Sequence, residues 1–339
     1  MWHSLRERIA ASRLRLTLKR RFRVGDAFLN DYLNRFSAGQ RISLKGLEDL
    51  DRLSPTQQMW FYYALSTNCR GDELANEVAR YTDWSGKRYL DIGCGFGGCL
   101  RAGAQREAEC VGVELEDVRI ALAKLNLADA NLNGKVQVLS QDVLDPNVSQ
   151  TLGTFDILTC NDVAEHVLDP ALLFQRMREL SRPGAVVYLE VPNRYSLNFV
   201  RSDGHFGLFG ITLLERPEAM RYHSAHLGGS YDVGEYLLLN EYSDLFRTNG
   251  FEPELIPSLY HPAGELSEVE DKLKLSDAAR DAFADPADEL RSAVCTAYEA
   301  YRTEILADYE KAKTDKQLEN EFRTTYLRDF WTFVAKRID

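Results

Sequence analysis

Between Arg88 and Asn193 short apolar runs alternate with stretches of helical spacing, and no other feature restricts the fold as much. "RYLDIG", "CVGVEL", "VQVLSQD", "FDILTCND" and "AVVYLEVPN" read as strands. "GGCLRAGAQR", "EDVRIALAKLNLADAN" and "DPALLFQRMREL" read as helices, with "SRPG" as a turn. Strands this short and apolar need cover on both faces, which means a parallel sheet between helical layers with right-handed crossovers. The class is doubly wound α/β. A helical region of residues 1–84 precedes it, in which Ser54 and Pro55 mark a helix start.

The first strand runs into "GCGFGG". Gly93, Gly95 and Gly98 satisfy G-x-G-x-x-G, and Glu114 follows about twenty residues on, where an acid binds ribose hydroxyls. By itself this turn serves NAD or S-adenosylmethionine equally. Its neighbours discriminate. Asp91, Gly93, Gly95 and Gly97 form D-x-G-x-G-x-G, and a carboxylate two residues before the first glycine repels a pyrophosphate. It suits the ammonium and sulfonium of S-adenosylmethionine. Asp142 closes the third strand, placed to accept a hydrogen bond from an adenine amino group, and "CND" closes the fourth. Ligands of open α/β sheets gather at these strand ends.

Taken together, "LDIGCGFG", "VGVEL", "SQDV", "FDILTCNDVAEHVLDP" and "LSRPGAVVYLEVPN" resemble the class I S-adenosylmethionine-dependent methyltransferases, in that family's order and over roughly residues 87–259. The resemblance implies a Rossmann-like seven-stranded sheet whose last strand, residues 329–337, runs antiparallel. It also implies that Asp91, Gly93, Cys94, Gly95 and Gly97 hold the methionyl end and that Glu114 with Leu115 binds the ribose. Asp142 with Val143 would bind the adenine, and Asn161 the methionine side. The core then spans residues 85–264, a helical insertion spans 265–327, and 328–339 return to the sheet. A non-catalytic cofactor-binding scaffold and an NAD-dependent oxidoreductase are the alternatives.

Methyl transfer to a hydroxyl requires alignment of acceptor, methyl and sulfur, and removal of the acceptor proton. "NDVAEHVLDP" offers Asp162, Glu165 and His166 on one helical turn, with Glu165 and His166 as catalytic candidates. The resemblance extends to metal-dependent O-methyltransferases with an acid-x-x-Glu-His arrangement, which makes Asp162, Glu165 and His166 metal candidates, although no metal is expected. After Asn193 regularity fades, and residues 194–233 read as a lid. The lid carries His205, a candidate base, together with His223 and His226, and Tyr195 and Arg201 as substrate contacts. "EVPNRYSLNFVRSDGHFGLFG" resembles the corresponding segment of methyltransferases of cell-surface glycan synthesis, implying a sugar or lipid-linked glycan acceptor. A quinone-type or other small molecule is the alternative acceptor.

Charge separates the amino terminus from the rest. The formal net charge is -11, yet residues 1–24 hold seven Arg and one Lys against Glu7. The overall acidity argues against a nucleic-acid partner. If "WHSLRERIAASRL" is helical, Trp2, Leu5 and Ile9 share a face opposite arginines, which would suit an anionic membrane surface; packing on the acidic body or a solvated tail are the other readings. No signal peptide or membrane-length run is evident, so a cytoplasmic protein is expected, with residues 1–24 able to reach the inner membrane face. Six scattered cysteines form no C-x-x-C pair and suggest reduced thiols. Leu290, Val294, Tyr298, Tyr301, Ile305 and Tyr309 repeat at helical spacing and suggest packing against the body.

Overall fold

A computed structural model of the chain describes residues 2–258, 262–285 and 288–338, with side chains from residue 9 onward. Four helices come first: α1 (Trp2–Phe22), α2 (Asp26–Gln40), α3 (Pro55–Leu65) and α4 (Thr67–Val78). The alternating region follows as β1 (Arg88–Ile92), α5 (Gly98–Gln105), β2 (Glu109–Glu114), α6 (Asp117–Asp129), β3 (Val136–Ser140), α7 (Val148–Leu152), β4 (Phe155–Asn161), α8 (Pro170–Leu180) and β5 (Ser181–Pro192). Then come α9 (Leu197–Arg201), α10 (Arg216–His226), α11 (Leu239–Thr248) and β6 (Phe251–Ile256). The chain closes with α12 (Val269–Phe283), α13 (Glu289–Ala312), α14 (Lys316–Phe322) and β7 (Phe330–Arg337). The strands form one seven-stranded sheet in the order β3-β2-β1-β4-β5-β7-β6. Six strands are parallel and β7 is antiparallel, pairing Phe251 with Arg337 and Ile256 with Thr332 across β6. This is the Rossmann-like arrangement of a methyltransferase fold.

Contacts divide the chain into two compact units. The division falls within β4 and near the middle of β5 rather than between the sequence-defined segments.

The first unit runs to Thr159 and includes Glu179–Val186. Ser54 begins α3 as anticipated: its hydroxyl accepts the Gln57 N–H, and the Gln57 side chain accepts the Ser54 N–H, so two end-of-helix donors are satisfied. Leu14, Leu18 and Phe22 lie four residues apart on α1 and are buried with Phe28, Tyr32, Leu33 and Phe36 of α2 and Phe61 and Leu65 of α3. The second half of the basic helix therefore packs on the body. Ile9 stays 59% exposed, whereas the side chains of Trp2 and Leu5 lie outside the described residues. Asp129, at the end of α6, accepts the N–H groups of Ala27 and Phe28 and so caps α2.

The second unit comprises Cys160–Arg178 and the chain from Val187 onward. Here the structure corrects the reading of residues 194–233 as irregular. They contain α9, a 3-10 turn at Ile211–Leu213 and α10, all built into one apolar core with α12, α13 and α14. Val294, Tyr298, Tyr301, Ile305 and Tyr309 of α13 are buried there, and the Tyr301 hydroxyl donates to the Tyr195 carbonyl. Tyr195 is thus packed against that core and not free in a loop. Helix α10 escaped the sequence reading because Arg216, Glu218, Arg221, His223, Ser224 and His226 interrupt it, so no clean apolar stripe appears. "SRPG" is a second departure: these residues begin β5 instead of forming a turn before it. No described helix is long and apolar enough to cross a membrane.

Candidate active site

The glycine turn lies in the first unit, between β1 and α5. Gly93, Gly95 and Gly97 take φ of 67°, 50° and 76°, a left-handed region where a side chain costs about 1–2 kcal/mol per residue. Gly97 caps α5, so the turn ends against free helix N–H groups. Gly98 serves packing. A Cβ there would come within 2.0 Å of the Thr67 carbonyl oxygen, and one at Gly71 within 2.3 Å of the Gly98 carbonyl. The two glycines let α4 and α5 pass backbone to backbone and fix where the turn begins.

Two acids frame the turn. Asp91 is only 4% exposed, and burial pushes its carboxyl up to about 7, with hydrogen bonds from Thr159 and Tyr89 opposing the rise and the Glu114 charge adding to it. Glu114 is buried and points its carboxylate into the loop, accepting the N–H groups of Gly95, Leu115 and Glu116. Leu115 is 65% exposed. Asp142 is exposed and its Oδ1 accepts the Leu144 N–H in a tight turn, and Val143 beside it is buried. Cys94 is a buried free thiol whose N–H bonds the Val113 carbonyl; burial raises it well above the usual thiol range, so it is a filler of the turn and not a nucleophile. A buried acid beside three left-handed glycines fits the cationic end of S-adenosylmethionine and disfavours an anionic pyrophosphate.

Asn161 ends β4, at the start of the second unit. Its Nδ2 donates to Asp162, while its Oδ1 is buried without a hydrogen-bond partner. An orphan acceptor of this kind fits an ammonium donor.

The residues after Asn161 do not form the helical turn expected of them. Asp162 adopts φ of 54°, and only Ala164–His166 turn, as a 3-10 segment. Glu165 and His166 meet His205, 39 residues beyond His166. Glu165 Oε1 lies 4.0 Å from His166 Nε2 and 3.9 Å from His205 Nε2, and the two imidazoles cross edge to face at 5.0 Å. Each ring is anchored through its other nitrogen. His166 Nδ1 donates to the Asp232 carbonyl at 2.9 Å, which leaves Nε2 as the acceptor in the neutral ring. His205 Nδ1 bonds the Tyr236 hydroxyl at 2.9 Å. Asp203 shapes the loop by accepting the N–H groups of His205, Phe206 and Leu208.

Burial raises the Glu165 carboxyl well above the usual carboxylate range, and Asp162 reinforces the rise. Burial also lowers His205, to about 4, with His166 adding to the effect. The cluster thus holds a neutral His205, a carboxyl reluctant to ionise and a His166 with a free nitrogen. Glu165 Oε2 is buried without a partner. Glu165, His166 and His205 present ligand atoms within 4.8 Å of one another, the one such set of three among the described residues. Asp162 is replaced in it by His205. His223 and His226 do not form a set: His223 is buried against Phe206 and Tyr231, and His226 bonds the Tyr222 carbonyl. Arg201 is half-buried at the end of α9. Asp232, Tyr236 and Thr159 were not foreseen, because their partners are distant in the chain, and the local turn closed by Asp203 was not singled out.

The family profile described as a methyltransferase domain matches residues 66–255. The ubiquinone biosynthesis O-methyltransferase of Pseudomonas aeruginosa (strain LESB58) is 35% identical over 111 residues, covering 32% of this chain and 46% of that protein. Its counterpart from Azoarcus sp. (strain BH72) is 28% identical over 173 residues, 50% of this chain and 65% of that protein. The chain spans about half the length of most of the curated relatives it matches. Among solved structures, a SAM-dependent methyltransferase from Archaeoglobus fulgidus superposes with a TM-score of 0.46 at 16% identity, over 78% of this chain and 92% of that one.

Proposed function

Because the chain belongs to the methyltransferase-domain family, we propose that it is an S-adenosylmethionine-dependent O-methyltransferase whose acceptor is a small molecule bearing an acidic hydroxyl. The cofactor supplies a sulfonium methyl group. Asp91, Glu114 and the glycine turn would hold it, and Asp142 with Val143 would take the adenine. His166 Nε2 would accept the hydroxyl proton, with Asp232 fixing the tautomer and Glu165 and His205 lining the approach.

The observation that carries this reading is the convergence of both Nε2 atoms on Glu165 at 3.9 and 4.0 Å. It also bears on the acceptor. An imidazole, of pKa about 6.5, takes a proton readily from a phenol of about 10, but hardly from an aliphatic alcohol. The base set therefore suits a phenolic or quinone-type hydroxyl better than a sugar hydroxyl, in keeping with relatives named for ubiquinone biosynthesis. A contact of residues 1–24 with an anionic membrane would fit a lipophilic acceptor of that kind.

A second reading has one observation in its favour. The orphan Glu165 Oε2 and the N, N, O donor set fit a divalent cation, which would make even an alcohol acidic enough to react. One experiment separates the two: methyl transfer from labelled cofactor to a catechol-type phenol and to a sugar panel, before and after dialysis against a chelator. Phenol methylation unaffected by the chelator supports the base reading. Loss restored by Mg²⁺ or Mn²⁺ supports the cation. Transfer to sugars alone, without metal, refutes the acceptor class.

A further inference from the structure

Beneath the glycine turn lies a hydrogen-bond chain that the cofactor motifs do not include. The Tyr89 hydroxyl lies 2.6 Å from Thr159 Oγ1, and Thr159 Oγ1 donates to Asp91 Oδ1, also at 2.6 Å. Since a hydroxyl has a single proton and Thr159 spends it on the carboxylate, Tyr89 must be the donor in the first link. Tyr89 and Thr159 are both fully buried, and their Cα atoms belong to β1 and β4. Tyr89 has little freedom to turn away: its ring packs edge to face on Trp84 at 5.0 Å, and Trp84 in turn donates from its indole to the Ala75 carbonyl.

The chain is directional and ends on one oxygen only. Thr159 donates to Oδ1 of Asp91, and both hydroxyls favour the ionised form of the carboxyl. We propose that Thr159, itself fixed by Tyr89, is the positioning residue that orients Asp91 and keeps it in the carboxylate form that receives the ammonium of the cofactor. The proposal rests on the S-adenosylmethionine reading of the glycine turn. It assigns a role to Thr159 and Tyr89, which the turn motif by itself does not.

The groups facing Asp91 are few. Glu114 stands across the turn as a second negative charge, Cys94 and Cys110 are buried neutral thiols, and Tyr89 is a phenol held far from ionisation by burial. Among the described residues no cation offsets the rise in its pKa; only the hydroxyls of Thr159 and Tyr89 do so. Burial raises its carboxyl to about 7, so the ionised form is not secured at neutral pH until a cation arrives. Ligand affinity should then fall about tenfold per unit of pH below 7, because binding must first expel the proton. A hydrogen bond to a carboxylate lowers its pKa by about one unit. Removing it should carry the whole profile up by that much.

The test is calorimetric titration of the full chain with S-adenosylhomocysteine, which retains the ammonium, between pH 6 and 8.5, using wild type, Thr159→Val, Thr159→Ser and Tyr89→Phe. Thr159→Val is expected to bind about tenfold more weakly at pH 6.5 and to approach wild type by pH 8.5. Thr159→Ser, which keeps the hydroxyl, should follow the wild-type curve, and Tyr89→Phe should fall between. A Thr159→Val loss that is the same at every pH, or a Thr159→Ser curve displaced as far as that of valine, overturns the proposal. Should the valine variant not fold, the serine and phenylalanine curves still decide it: a Tyr89→Phe profile identical to wild type counts against the chain. Failure of the wild-type protein to bind at any pH would instead reject the cofactor reading.

Discussion

Asp91 to Asn isolates the cost of burying the cofactor-side carboxyl. Its pKa is raised from 3.8 to about 7, a displacement worth about 4 kcal/mol at 1.36 kcal/mol per unit. The sign follows from which state holds the proton more tightly. The folded state does, so folding is favoured by this group below pH 4 and loses that advantage progressively until about pH 7. Asparagine cannot ionise and escapes the loss, while its Oδ1 can still accept from Thr159. Its amide donors would find no acceptor, which costs about 1–3 kcal/mol at any pH. The expected balance is a variant less stable than wild type by about 1–3 kcal/mol at pH 4 and more stable by about the same amount at pH 8.5. Thermal unfolding of the ligand-free chain across that range should show the two melting curves crossing, each kcal/mol moving the midpoint by about 2–4 °C in domains of comparable size. Titration with S-adenosylhomocysteine should show affinity lowered by about 10–100-fold at pH 8. Parallel stability profiles, or a variant that binds as tightly as wild type, would refute the assignment of a buried, cation-facing carboxylate.

Gly98→Ala should lower the melting midpoint by several degrees and weaken cofactor binding, because its Cβ meets the Thr67 carbonyl at 2.0 Å and forces α4 from α5 at a cost of about 1–3 kcal/mol. Gly39→Ala in α2, where nothing lies within 4 Å, is the matching control and should be neutral or stabilising by about 0.5–1 kcal/mol. His166→Ala should reduce turnover by about 10²–10⁴-fold while leaving the affinity for S-adenosylhomocysteine unchanged, checked by single-turnover kinetics beside calorimetry. An equal loss in both would move His166 out of the acceptor side.

The features legible in sequence were those written within a few consecutive residues. Ser54 and Pro55 announced α3, Gly93, Gly95 and Gly97 announced the turn, and the alternation of apolar runs announced the parallel sheet. Reading failed where a local rule had a stronger competitor. The D-V-A-E-H run has the spacing of a helical turn, but Asp162 takes a left-handed conformation and donates its N–H to the Glu190 carbonyl, so the helix never starts there. Residues 194–233 lack a clean periodicity because α9 is short and α10 buries only Ala219, Tyr222 and His223 between charged and polar positions.

The sequence by itself determined the strand-helix order, the left-handed turn and the two acids that bracket it, because backbone preference and hydrophobic period act over neighbouring residues. Only the tertiary structure decided which polar groups meet. Thr159 reaches Asp91 across 68 positions, and Asp232 anchors His166 across 66. It also decided what state those groups adopt, since the raised carboxyls of Asp91 and Glu165 and the lowered imidazole of His205 arise from burial. Burial is a property of the whole packed chain, and no window of residues contains it.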